Sequence, residues 1–179
     1  KLLFIGFKLG EKMVKNIVYI MYQEAMGFLV ASRYLKKVIY SNGINLLSCS
    51  PAYAVNQTFA CELLLKALCK MNQVEYGKNH KLIDILSKLP ERLVCEIEKE
   101  YELLSKEKRE SYDYNVEMRK MDECLGSYDN AFVDWRYYYE KSNEGLYLPW
   151  MDFEIVIDIL KRNVENHLNI GEWVKFKEN

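Results

Sequence analysis

The segment between Pro51 and Met71 constrains the fold more than any other part of the chain. Its apolar residues recur at every fourth position, and a second apolar row lies beside the first. The first row is Val55, Phe59, Leu63, Ala67 and Met71, and the second is Ala60, Leu64 and Leu68. An apolar face of this width is typical of a helix that contacts several neighbours. We therefore expect a helix at the centre of a bundle, with Ser50 as its N-cap and Pro51 in its first position.

The rest of the chain is also patterned as helices, and no alternation long enough for a sheet occurs. We expect further helices over 16–40, 80–89, 91–108, 116–125, 129–139 and 152–167. In the first of these, Ile17, Ile20 and Leu29 fall on or near the inner stripe. In the last, the inner face consists of Phe153, Val156, Ile157, Leu160, Val164 and Leu168. We assign residues 1–12 to an N-terminal extension and 13–179 to a single helical domain. The predicted fold class is all-α, a bundle of five or more helices.

Composition excludes several classes of protein. Half of the residues are apolar and the net charge is −1, so the chain suits a packed domain without a global basic field. No apolar run reaches the roughly twenty residues of a membrane span. The five cysteines form no C-x-x-C pair, which favours reduced thiols and a cytoplasmic protein. Any site for nucleic acid must therefore be local.

Two stretches carry a resemblance to a known family. The run from Phe59 through Glu62 to Leu68, followed by Gly77-x-x-His80-x-Leu82 and by Leu86, resembles the HEPN domains (higher eukaryotes and prokaryotes nucleotide-binding). The resemblance implies a small all-α bundle. It also implies a role as a ribonuclease toxin, as an antiphage-defence effector or as the partner of a nucleotidyltransferase-type protein.

HEPN ribonucleases carry an arginine followed, after four to six residues, by a histidine, and the two residues act across a dimer interface. Arg136 resembles that arginine by position and surroundings. The positions where the histidine would follow hold Lys141, Ser142 and Asn143. Nuclease activity would need a base that draws the proton from the ribose 2′-hydroxyl and a cation beside the phosphate. The missing histidine puts this activity in doubt, and Asn143 is the nearest polar candidate there.

Other residues complete the candidate site. Glu62 is the one acid in the central apolar helix, and we expect it to be shielded from water and to need a cation. Arg136 could supply that cation, or it could pair with Glu140 four residues along its own helix. Tyr137 could stack on a base. His80, at the expected start of a short helix, could cap that helix or act as a base. With only two histidines, we expect no metal site, and no cofactor motif is present.

Three functions remain open from the sequence. The first is a HEPN-like protein that binds RNA, a nucleotide or a partner protein in a toxin–antitoxin or phage-defence setting. The second is a metal-independent HEPN endoribonuclease with Arg136 at a dimer interface, and the third is a purely structural interaction protein. We expect a homodimer in either HEPN case, formed through the aromatic-rich stretch 128–150.

Overall fold

The fold is built from helices alone in the part of the chain that the structure, a computed structural model, describes: residues 2–41, 46–112, 119–131 and 149–169. No strand occurs in these ranges, which confirms the predicted all-α class. The helices are α1 (Leu2–Ser41), α2 (Leu46–Met71), α3 (Leu82–Leu86), α4 (Glu91–Tyr112), α5 (Met121–Gly126) and α6 (Trp150–Leu168).

The long helices pack in an up-and-down arrangement. Phe28 packs on Phe59 at a ring-centroid distance of 5.3 Å, and Ser32, one turn later, contacts Gln57. Residue numbers thus rise along α1 as they fall along α2, so these two helices are antiparallel. The Tyr22–Glu165 and Lys36–Glu154 hydrogen bonds show the same for α1 and α6. Helices α2 and α6 therefore run in one direction and α1 in the other.

Helix α4 completes the bundle by packing against α6. Arg109 contacts Asp152, and Glu100 contacts Arg162, so these helices are also antiparallel. The inner face predicted for the last helix is buried throughout, at Phe153, Val156, Ile157, Leu160, Val164 and Leu168. The short helix α3 packs against α2 and α5, and α5 also packs against α4 and α6. The ring of Tyr128, just after α5, stacks on Phe153 with a centroid distance of 3.5 Å.

Helix α2 is central, as predicted, and both apolar rows of the predicted face contribute buried residues. Ala60, Leu64 and Leu68 of the second row and Ala67 of the first are buried, whereas Val55 and Phe59 are only partly buried. The reason is that α1, α3 and α6 all contact α2, and their positions decide which residues face the centre. Burial also continues beyond the predicted face to a further row at Cys61 and Leu65.

The predicted start of this helix was wrong. It begins at Leu46, and Pro51 lies inside it. A proline in this place removes one hydrogen bond, because it has no N–H to donate to the carbonyl of Leu47. The connector expected over 44–50 is therefore helical from Leu46 onward. Ser50 does not cap the helix but is buried within it.

The inner face predicted for α1 was partly wrong as well. Leu29 is buried, but Ile17 and Ile20 are exposed, and the buried positions near them are Val18 and Tyr22. Helix α1 also begins earlier than predicted, at Leu2 rather than at residue 16. Its end at Ser41 agrees with the predicted stop.

The shorter helices start later than predicted. Helix α3 begins at Leu82 rather than at residue 80, and no side chain of its own N-cap residue, Lys81, caps it. The carboxylate of Asp129 instead accepts a hydrogen bond from the N–H of Ile83 at 3.3 Å. Helix α5 begins at Met121. The helix predicted over 129–139 lies mostly outside the described residues.

Candidate functional site

The loop after α2 turns the chain back along the helix it has just left. Gln73 adopts a left-handed backbone conformation with φ = 56°, and the N–H of Val74 donates to the carbonyl of Cys69 at 2.9 Å. With the bond from Gln73 N–H to Lys70, this is the Schellman pattern that ends helices. Gly77 takes a second positive φ of 64°, where glycine is not strained. These two reversals return His80 to the side of α2.

His80 there meets the buried acid of α2. Its Nδ1 lies 2.9 Å from Oε1 of Glu62, which is 8% exposed, whereas the imidazole side chain is 75% exposed. Since a carboxylate can only accept hydrogen bonds, the shared proton belongs on Nδ1 of His80. Nε2 of a neutral imidazole is then left as a hydrogen-bond acceptor. The expected burial of Glu62 is confirmed.

Lys66, one turn after Glu62 on α2, donates to the same carboxylate oxygen at 2.6 Å. Its ammonium also lies 5.3 Å from the ring centroid of Tyr76 in the loop, and that of Lys70 lies 5.6 Å from it. Both distances are within the range of cation–π attraction. The Tyr76 ring therefore binds the loop to α2 through two ammonium groups, that of Lys66 at Glu62 and that of Lys70, which also lies 3.8 Å from Oε1 of Glu75.

The surface around this pair is locally basic although the chain is nearly neutral. Four lysines but only one acid, Glu75, lie between residues 66 and 81. Lys78 and Lys81 flank His80 in the loop and are exposed. We refer to Glu62, Lys66, Lys70, Tyr76 and His80 as the histidine cluster. It can donate hydrogen bonds to an anion, and it presents one imidazole fixed by a carboxylate.

The structure brings together two of the six site residues predicted from the sequence, Glu62 and His80. The other four, Arg136, Tyr137, Glu140 and Asn143, lie outside the described residues, so the expected pairing of Arg136 with Glu62 stays a prediction.

Lys66 was missed by the sequence reasoning. Its spacing of four residues from Glu62 on one helix is the signal that could have found it.

Two further polar groups in the bundle connect helices to one another. Glu154 of α6 accepts hydrogen bonds from Lys36 of α1 and from Tyr53 of α2, at 2.7 and 2.6 Å. Arg109 and Asp152 form a buried ion pair between α4 and α6, with N–O distances of 2.7 and 2.8 Å. Each group joins helices that are distant in sequence, which is a structural role.

The described ranges contain neither a cluster of metal ligands nor a helix that could span a membrane. No three His, Cys, Asp or Glu side chains in them converge where a metal ion could bind. None of the helices in these ranges is both long enough and apolar enough to cross a membrane.

Comparison of the chain with protein-family models, with curated protein sequences and with solved structures finds no match. The fold and the histidine cluster together define an all-α bundle with a basic surface site built around a carboxylate–histidine pair.

Proposed function

We propose that this chain is a HEPN-like helical protein whose histidine cluster binds the phosphate groups of RNA or of a nucleotide. The observation that carries the proposal is the contact between Nδ1 of exposed His80 and Oε1 of buried Glu62. A surface imidazole loses rotamer freedom when it is fixed, and a buried carboxylate is costly without partners. A ligand-binding role explains both costs, because the buried carboxylate orients the imidazole ring before the ligand binds.

The chemistry of the neighbours supports a phosphate rather than an apolar ligand. Lys70 belongs to the cluster, exposed Lys78 and Lys81 are neighbours of His80 in the sequence, and lysine binds phosphate as a compact point charge. Tyr76 is partly exposed, so an edge or face of its ring is accessible to a base. The setting implied by the HEPN resemblance, toxin–antitoxin or phage defence, is part of the proposal.

Binding can be tested by fluorescence anisotropy with a labelled single-stranded RNA of twelve nucleotides. We expect His80→Ala to weaken binding about tenfold. The matched control is His167→Ala, which removes the other histidine, exposed on α6. We expect Lys70→Ala to lower the slope of log Kd against log salt by about 0.7, as for one phosphate contact on a single strand. Equal affinities for the two histidine variants, or no binding by the natural chain, would refute the proposal.

The Glu62–His80 pair also favours a second candidate, a metal-independent endoribonuclease. A histidine that donates from Nδ1 to a carboxylate can accept a proton at Nε2, which is the arrangement of a general base. In that mechanism Nε2 takes the proton of the ribose 2′-hydroxyl as its oxygen attacks the adjacent phosphorus. The bond from phosphorus to the 5′-oxygen breaks, the 5′-oxygen takes a proton from water, and a 2′,3′-cyclic phosphate forms; the hydroxide that remains takes the proton held by Nε2. Arg136 would supply the cation across a dimer interface.

Cleavage is distinguished from binding by incubating labelled RNA with the protein in excess EDTA. Endoribonuclease activity requires products that end in a 2′,3′-cyclic phosphate, lost in His80→Ala and in Arg136→Ala but kept in His167→Ala. Binding without cleavage would leave the first candidate and exclude the second.

A further inference from the structure

A small polar cavity of about 190 Å³ lies where α1, α2 and α6 meet. Its floor is formed by buried residues of all three helices: Leu29, Ser32, Gln57 and Ile157. The volume is below the roughly 300–1,000 Å³ of pockets for drug-sized molecules, so the cavity suits a smaller one. None of its lining residues belongs to the histidine cluster, so a ligand here would be separate from the function proposed above.

Gln57 in the floor has a polar atom without a partner. Its Nε2 donates to Oγ of Ser32 at 3.0 Å, and that hydroxyl donates to the carbonyl of Leu29 at 2.9 Å. Because the hydroxyl proton is used by Leu29, Ser32 accepts from the amide nitrogen of Gln57, which fixes the orientation of the amide. The buried Oε1 of Gln57 accepts no hydrogen bond from any described residue. An unpaired buried acceptor is costly, so a ligand with an N–H donor is favoured there.

Charged side chains of both signs line the opening of the cavity. Lys36 and Glu154 neutralise each other, with 2.7 Å between Nζ and Oε2. Arg33 of α1 and Asp158 of α6 are exposed, and neither forms an ion pair with another described residue. The opening therefore presents one cation and one anion that do not pair with each other.

We propose that this cavity binds a free α-amino acid with a small aliphatic side chain. The ligand's carboxylate pairs with Arg33, and its ammonium group donates to Oε1 of Gln57 and is balanced by Asp158. Its side chain packs on the apolar part of the floor, Leu29 and Ile157. An anion alone would be repelled by Asp158 and a cation alone by Arg33, whereas a zwitterion is complemented at both ends.

Binding is tested with L-valine by isothermal titration calorimetry and by thermal unfolding of the natural chain. We expect saturable binding, and a melting temperature about 5–11 °C higher at a hundredfold excess of valine over Kd. Betaine (N,N,N-trimethylglycine) is an isomer of valine that carries both charges but no N–H. Betaine should bind about tenfold more weakly or worse, because it cannot donate to Gln57. Acetate and methylamine, which carry one charge each, should not compete with valine.

The decisive variant is Gln57→Leu, which removes the acceptor and keeps a side chain of similar size. We expect it to weaken valine binding about tenfold or more, while the melting temperature of the free chain stays equal or rises. The matched control is Gln23→Leu, which changes an exposed glutamine of α1 outside the cavity and should leave binding intact. Arg33→Gln changes only an exposed side chain and should also weaken binding about tenfold, so the test does not depend on the folding of Gln57→Leu.

The proposal would be overturned if the natural chain showed no saturable binding of valine. An ordered water molecule would then be the only partner of Gln57 Oε1. Equal affinities for valine and betaine would also overturn it, as would equal affinities of the natural chain and the Arg33→Gln variant for valine.

Discussion

Replacing Arg109 by methionine should destabilise the bundle far more than replacing an exposed arginine. The Arg109 and Asp152 side chains are 10% and 6% exposed, and the guanidinium Nη2 contacts both carboxylate oxygens. Methionine keeps the apolar stem but leaves the Asp152 carboxylate buried without this cation. Removing one partner of a buried ion pair costs about 3–5 kcal/mol. This is a large part of the roughly 5–15 kcal/mol by which such domains are stable.

The loss can be measured by urea and thermal unfolding followed by circular dichroism at 222 nm. For a chain of this length, about 3–5 kcal/mol corresponds to a melting temperature roughly 6–20 °C lower. The control is Arg92→Met, which removes an exposed arginine that pairs with Glu96 on the same helix. Its expected cost is only about 0.3–0.5 kcal/mol. The double variant Arg109→Met with Asp152→Leu should regain most of the stability, since no unpaired charge is left.

The reasoning would be refuted if Arg109→Met and Arg92→Met lowered the free energy of unfolding equally. It would also be refuted if the double variant were less stable than Arg109→Met alone. Either result would mean that the carboxylate of Asp152 does not depend on the guanidinium for its burial.

Three further predictions concern a helix end, the thiols and one carboxyl. Gln73→Gly should raise the free energy of unfolding in urea by about 0.5–1 kcal/mol, because glycine adopts the left-handed conformation without strain; no gain would contradict this. Burial raises the pKa of the Cys69 thiol to about 11, so iodoacetamide should modify exposed Cys95 first and Cys69 only on unfolding, as read by peptide mass spectrometry. Burial also raises the pKa of the Asp129 carboxyl above its usual 3.8, so the folded chain holds the carboxyl proton more tightly than the unfolded chain does. The stability that the protonated carboxyl contributes is therefore lost as pH rises through the raised pKa. Asp129→Asn keeps an oxygen for the Ile83 N–H and has no such loss. Its stability relative to the natural chain should therefore increase as pH rises from 3.8 through the raised pKa in urea titrations; a constant difference would contradict the shift.

Helical periodicity predicted the elements better than it predicted their faces. The last helix has one broad apolar face, and all six residues predicted for that face are buried. Helix α1 carries two apolar stripes, and the sequence alone could not tell which of them α2 covers. Ile17 and Ile20 were therefore placed inside although they are exposed. A local sequence pattern shows that a helix face is apolar, but whether that face is buried depends on which other helix packs against it.

The candidate site was predictable only in part, for the same reason. The position of Glu62 within an apolar helix was enough to predict its burial and its need for a cation, because an unpaired buried carboxylate is costly. The sequence did not predict that His80, which lies 18 residues away, is a hydrogen-bond partner of Glu62. Their contact depends on the left-handed turns at Gln73 and Gly77, which reverse the chain after α2.

The sequence by itself determined that this chain is all-α, that 51–71 is its central helix and that Glu62 is buried there, since apolar periodicity is a local property. Only the tertiary structure decided that α2 begins at Leu46, that Asp129 caps α3 and that His80 turns back onto Glu62. Each of these depends on groups that are far apart in the chain, or on packing strong enough to keep a proline inside a helix. The energy of such contacts is set by which helices meet, and no local pattern contains that information.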